Sequence, residues 1–160
     1  MFAGEFSCKL DEKGRFALPA SLRDRFALPA DPEVKKAVLV RSQQERCLWL
    51  FPLPNWYALL EVQRQRLSEH ESRLFMHYVV SEVLELEVDR AGRLLVPRKF
   101  REHAGIDDEA VLVGMYDRLE VWSQAAWQAH LAQLEEAHET ALGRVLQMPS
   151  IKPLWPGVER

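Results

Sequence analysis

The sequence has no run of about 18 apolar residues, the length a helix needs to cross a bilayer, so no membrane partner is expected. Its opening, Met1-Phe2-Ala3-Gly4-Glu5, lacks the basic and apolar regions of a secretory leader, which points to an unexported, cytoplasmic protein. Cysteine is scarce. Cys8 and Cys47 stand alone, without CxxC spacing or a Cys/His cluster, and support neither a disulfide scaffold nor a zinc finger. An excess of basic residues is also missing: the formal net charge is −3, so any surface for nucleic acid has to be local. The five histidines, His70, His77, His103, His130 and His138, have no HExxH spacing, and no Ser or Cys lies in a GxSxG-type nucleophile motif. With no convergent acid, base and nucleophile, no enzyme is expected, and no cofactor, metal or small-molecule substrate.

What the chain does have is apolar content, 48% of 160 residues, enough to bury a core as one domain or as two small halves. It also repeats itself. The stretch Phe6-Ser7-Cys8-Lys9-Leu10-Asp11-Glu12-Lys13-Gly14-Arg15-Phe16-Ala17-Leu18-Pro19 aligns with Leu84-Glu85-Leu86-Glu87-Val88-Asp89-Arg90-Ala91-Gly92-Arg93-Leu94-Leu95-Val96-Pro97. Asp, Gly, Arg and Pro all recur at a single offset. Leu22-Arg23 matches Phe100-Arg101 further on, Val38-Leu39-Val40 resembles Val111-Leu112-Val113, and Trp56 echoes Trp127.

Each copy opens with alternation. Phe6, Cys8 and Leu10 face one way and Ser7 and Lys9 the other; Leu84, Leu86 and Val88 alternate with Glu85 and Glu87. These patterns predict half-buried strands. Asp-x-x-Gly then supplies turn chemistry, and a second strand beginning at Arg15 or Arg93 would complete a hairpin that Pro19 or Pro97 closes. Single helical turns are expected at residues 21–26 and 98–104, the latter stopped by Gly105. A further strand pair follows in each half, residues 37–41 with 47–51 and 110–115 with 118–122. Helices come next: one from about residue 54 carrying Trp56, Leu59, Leu60 and Leu67, one opened by the capping box Ser68-x-x-Glu71, and one capped by Ser123 and carrying Trp127, Leu131 and Leu134. The tail from Met148, with three prolines and Trp155, reads as an extended arm.

A start of Met1-Phe2-x-Gly4, paired Asp11-x-x-Gly14-Arg15 and Asp89-x-x-Gly92-Arg93 loops, and Leu50-x-Pro52-Leu53-Pro54-x-Trp56 together resemble the MraZ family over roughly residues 1–140. The resemblance implies an α+β, β-rich fold of tandem duplicated swapped-hairpin AbrB-like β-barrel units with peripheral helices. The units would span residues 1–80 and 81–145, with 146–160 as an extended tail. It implies ring-shaped homo-oligomers that bind double-stranded DNA at short direct repeats upstream of their own operon, in the division and cell-wall gene cluster. A nucleoid-associated transcriptional regulator is the resulting expectation.

The loops offer the chemistry for it. If the strand alternation extends to Lys13, Lys13 and Arg15 project from one side of the first hairpin; Arg90 and Arg93 flank the equivalent turn, with Arg90 replacing Glu12 and Ala91 replacing Lys13. Arginine's planar fork can grip phosphate or the O6/N7 edge of guanine, whereas lysine supplies a mobile charge. DNA contacts are therefore expected from Lys13, Arg15, Arg90 and Arg93, and loop shaping from Asp11, Gly14, Asp89 and Gly92, since a carboxylate would repel phosphate. Alternatives stand beside this. One Asp-x-x-Gly-Arg loop could be only a turn with an ion pair, and Glu85, Glu87 and Asp89 could suggest a metal site but fit a solvated strand face better. The runner-up function is an antitoxin-like interaction module whose arm, with Pro153, Trp155 and Pro156, occupies another protein.

Overall fold

A computed structural model describes residues 1–136; the tail expected as an arm lies outside the described residues. Met1–Trp127 forms one compact unit, and residues 128–136 belong to a second. The first half contributes strands β1 (Glu5–Lys9), β2 (Arg15–Ala17), β3 (Ala27–Leu28), β4 (Asp31–Arg41) and β5 (Leu48–Pro52), with helices α1 (Ala20–Arg23), α2 (Leu53–Arg66) and α3 (Glu69–Tyr78). The second contributes β6 (Leu84–Glu87), β7 (Arg93–Leu95), β8 (Glu109–Gly114) and β9 (Leu119–Trp122), with α4 (Arg98–Ala104) and α5 (Gln124–Glu136). The fold is α+β and rich in antiparallel strands.

Side-chain capping sets the starts of α3 and α5. The Ser68 hydroxyl accepts from the Glu71 N–H while the Glu71 carboxylate accepts from the Ser68 N–H, closing the capping box that starts α3. Ser123 Oγ accepts from the Ala126 N–H at the start of α5. The alternation in β1 holds: Phe6 and Cys8 are half-buried and Leu10 buried, while Ser7 and Lys9 are exposed.

Strand partners are another matter. The expectation that each Asp-x-x-Gly turn joins a local hairpin is corrected. The turn is present, yet β1 pairs with β8 (Phe6 opposite Leu112, Cys8 opposite Ala110), and β2 pairs with β7 (Phe16 opposite Leu94). Reciprocally, β6 pairs with β4, placing Leu86 opposite Ala37 and Leu84 opposite Leu39. Each half therefore lends its leading strands to the other. The physical reason is that period-two alternation fixes which side of a strand is buried, but leaves open which of several equivalent edges it joins.

The expected later pairs do form locally, with Leu39 opposite Leu50 in β4–β5 and Leu112 opposite Val121 in β8–β9. The result is a seven-stranded sheet in the order β1-β8-β9-β5-β4-β3, with β6 also on β4, and a separate two-stranded ribbon, β2–β7. The expected closed barrel is corrected as well: the sheet ends at β1 on one side and at β3 and β6 on the other, so it stays open. Its core is shared between the halves. Phe16 and Leu94 of the ribbon, with Leu18 and Val96 just past its strands, pack in one cluster with Leu39, Leu48 and Leu50 of the first half and Leu112, Leu119 and Val121 of the second.

Candidate nucleic-acid interface

The β2–β7 ribbon brings the two arginines together. Arg15 lies opposite Leu95 and Ala17 opposite Arg93, and residues directly opposite in an antiparallel pair share a face. Arg15, Ala17, Arg93 and Leu95 therefore occupy one face of the ribbon, while Phe16 and Leu94, each 1% exposed, occupy the other and enter the core. Arg15 and Arg93 are diagonal neighbours, a relation that sets backbones about 7–8 Å apart. Two separate hairpins were expected to present them. Instead one surface carries both.

Each arginine is held the same way. Asp11 Oδ1 accepts from the backbone N–H of Lys13 and of Arg15, both at 2.9 Å, and Oδ2 accepts from Arg15 Nε at 2.8 Å. Asp89 Oδ1 accepts from the N–H of Ala91 (2.9 Å) and Arg93 (2.8 Å), and Oδ2 from Arg93 Nε at 2.8 Å. The backbone N–H of the arginine, followed by its side chain and the other loop N–H, holds each carboxyl below the usual aspartate value of 3.8. The carboxylates thus stay charged through the neutral range. Engagement through Nε alone leaves both terminal nitrogens of Arg15 and of Arg93 without a partner among the described residues, on side chains 31% and 43% exposed. A guanidinium fixed at one edge and open at the other can donate two parallel bonds to a planar acceptor pair.

The glycines close the loops. Gly14 and Gly92 have φ of +84° and +76°, a region that costs a residue with a Cβ, and each N–H donates to its loop's aspartate carbonyl at 2.9 Å. The remaining cations are looser. Lys13 and Arg90 are exposed in their turns, and Lys13 sits in the turn itself, ahead of the strand alternation. Beside the second loop, Arg23, Lys35 and Arg90 line an open cleft with Asp24, Glu33 and Glu87, so that surface is of mixed sign.

Several other basic residues are paired with carboxylates elsewhere. Arg98 pairs with Glu102 at 2.7 Å, Lys99 with Glu82 at 2.9 Å and Arg64 with Glu61 at 2.9 Å. Of the acidic residues once considered for a metal, Glu85 pairs with Lys36 and Asp89 with Arg93. Trp56, Trp122 and Trp127 are buried, and Arg118 lies 4.6 Å over the half-buried Trp49 ring.

Two residues at the site escaped the sequence reading, Arg23 and Arg101. Arg23 of the first half lies across Gly92 of the second, and Arg101 of the second half lies across Gly14 of the first. The signal was in the sequence, because the two arginines recur at the same offset as the loops.

The model of the family described as MraZ protein matches residues 1–77 and 80–147. The chain belongs to the MraZ family. Relatives named transcriptional regulator MraZ include one from Desulfitobacterium hafniense, 35% identical over 142 residues, covering 88% of this chain and 94% of the relative. One from Thermomicrobium roseum is 38% identical over 130 residues (81% and 86% covered), and one from Salinispora tropica 34% over 141 residues (85% and 91%). The matched stretches include both loops and every strand. Among the described residues no helix is long and apolar enough to cross a membrane.

Proposed function

We propose that this chain is a transcriptional regulator, not an enzyme, that binds double-stranded DNA through the exposed face of the β2–β7 ribbon. The observation that carries this reading is the pair Arg15 and Arg93, on one face, each oriented by an aspartate and each open at its outer edge. A two-stranded ribbon fits the major groove, where an arginine donates in bidentate fashion to guanine O6 and N7. Lys13 and Arg90 add mobile charge for phosphate; Asp11, Gly14, Asp89 and Gly92 hold the loops. The exchange of strands between halves supports the swapped-hairpin, AbrB-like reading of the architecture that the family resemblance implies.

One bidentate contact contributes only about 1–3 kcal/mol, and the chain is acidic overall. Affinity then has to come from repetition. We infer a homo-oligomer, ring-shaped as the family resemblance implies, whose ribbons engage successive direct repeats upstream of its own operon; such linkage raises avidity by roughly 10² to 10⁴. The test is recovery of duplexes from a random-sequence pool by the full chain, with the mass in solution and the salt dependence of binding to the recovered duplexes. Enrichment of direct repeats, a mass of several subunits and a steep fall of affinity with salt are expected. Recovery of no sequence above the starting pool would overturn the reading.

A further inference from the structure

The crossing of Arg23 and Arg101 is the same construction built twice. Gly92 O accepts from the Leu18 N–H at 2.8 Å, Leu18 O accepts from Arg23 Nε at 2.9 Å, and the Arg23 guanidinium lies back over Gly92. Gly14 O accepts from the Val96 N–H at 2.9 Å, Val96 O accepts from Arg101 Nε at 3.1 Å, and the Arg101 guanidinium lies over Gly14. Each ring of contacts ties the loop of one half to the strand end and helix of the other. The space is filled: a Cβ at Gly92 would stand 2.2 Å from Arg23 Nε, and one at Gly14 would stand 2.8 Å from Arg101 Nε. Both arginines are half-buried.

We propose that Arg23 and Arg101 are positioning residues, each locking the DNA-contacting loop of the opposite half. The Asp–Arg pair inside a loop is largely exposed, and exposed ion pairs by themselves order a chain weakly. A charge-assisted bond to a carbonyl one residue-pair away, with the guanidinium packed on the loop glycine, supplies the missing restraint. Glycine is thus required twice over at these positions, by its backbone angle and by the arginine on top of it. Each loop is braced by the opposite half, so removing the arginine of one half disturbs the loop arginine presented by the other.

The part of this inference that concerns DNA rests on the proposed function; the part that concerns loop order does not. In the full chain, Arg101→Ala should speed amide exchange about tenfold at Gly14 and Arg15 and leave Gly92 and Arg93 unchanged, while Arg23→Ala should do the reverse. Should an alanine variant fail to fold, Arg101→Lys and Arg23→Lys keep the charge but lack the Nε–H, and the same crossed pattern is expected of them. Affinity for a duplex recovered from a random pool should fall about 3–10-fold in each variant, with the slope of log affinity against log salt unchanged. A slope reduced by about one would make the arginine a direct phosphate contact instead. Faster exchange in the variant's own half, or in neither loop, would overturn the crossed lock even where DNA binding is intact.

Discussion

Removing the two ribbon arginines one at a time and together is the sharpest test of a shared face. Arg15→Ala and Arg93→Ala each delete a guanidinium whose outer edge is free, leaving Asp11 or Asp89 still bonded to two backbone N–H groups. A bidentate base contact of about 1–3 kcal/mol corresponds to roughly 5- to 150-fold in affinity for each variant. The arginines stand on diagonal positions and bind separate aspartates, so their losses should add to within about 0.5 kcal/mol. Thermal stability should hardly move, because the deleted ion pairs are exposed. The assay is fluorescence anisotropy on a recovered duplex, with thermal unfolding alongside and Arg64→Ala, from an exposed helical pair, as the neutral control. If Arg93→Ala binds within twofold of the parent while Arg15→Ala does not, the two halves do not share one DNA face. If both lose affinity only because they unfold, the base-contact argument is lost.

The ribbon's two faces should respond oppositely to truncation. Phe16→Ala, at a position 1% exposed, should cost about 3–5 kcal/mol, or a fall of about 10–20 °C in melting temperature, whereas Leu95→Ala, 44% exposed, should cost less than about 1 kcal/mol; equal effects in calorimetry would contradict the assigned register. Asp11 and Asp89 titrate below 3.8 in the folded chain, so their contribution to loop order is fully present above that value and is lost as pH falls through the lower folded one. Carboxyl NMR titrations should show both midpoints under 3.8, and midpoints at or above it would refute the capped geometry. Burial pushes the Cys8 thiol up to about 11 and the Cys47 thiol up to about 12, so alkylation at pH 8 should be slow in the folded protein and fast once denaturant unfolds it; rapid labelling of native protein would show that these sites are open.

Several features were legible before any tertiary arrangement was known. The duplication, the side of β1 that Phe6, Cys8 and Leu10 bury, the Ser68–Glu71 box and the turn chemistry of Asp11-x-x-Gly14 are local, and local rules suffice for them. The pairs β4–β5 and β8–β9 were legible too, since their strands follow one another across short connections. Partners distant in sequence were not. Alternation says that Phe16 and Leu94 face a core, and says nothing of their lying opposite each other.

That pairing was decided by long-range burial. Placing Phe16 and Leu94 side by side over a core drawn from both halves forces their neighbours Arg15 and Arg93 onto a common outer face, and it carries Arg23 and Arg101 across to the other half's glycine. The sequence by itself determined that two loops of one design exist and what chemistry each holds. Only the tertiary structure made them one surface, because a strand's period encodes a face while its partner is chosen by the apolar area that the whole chain can bury.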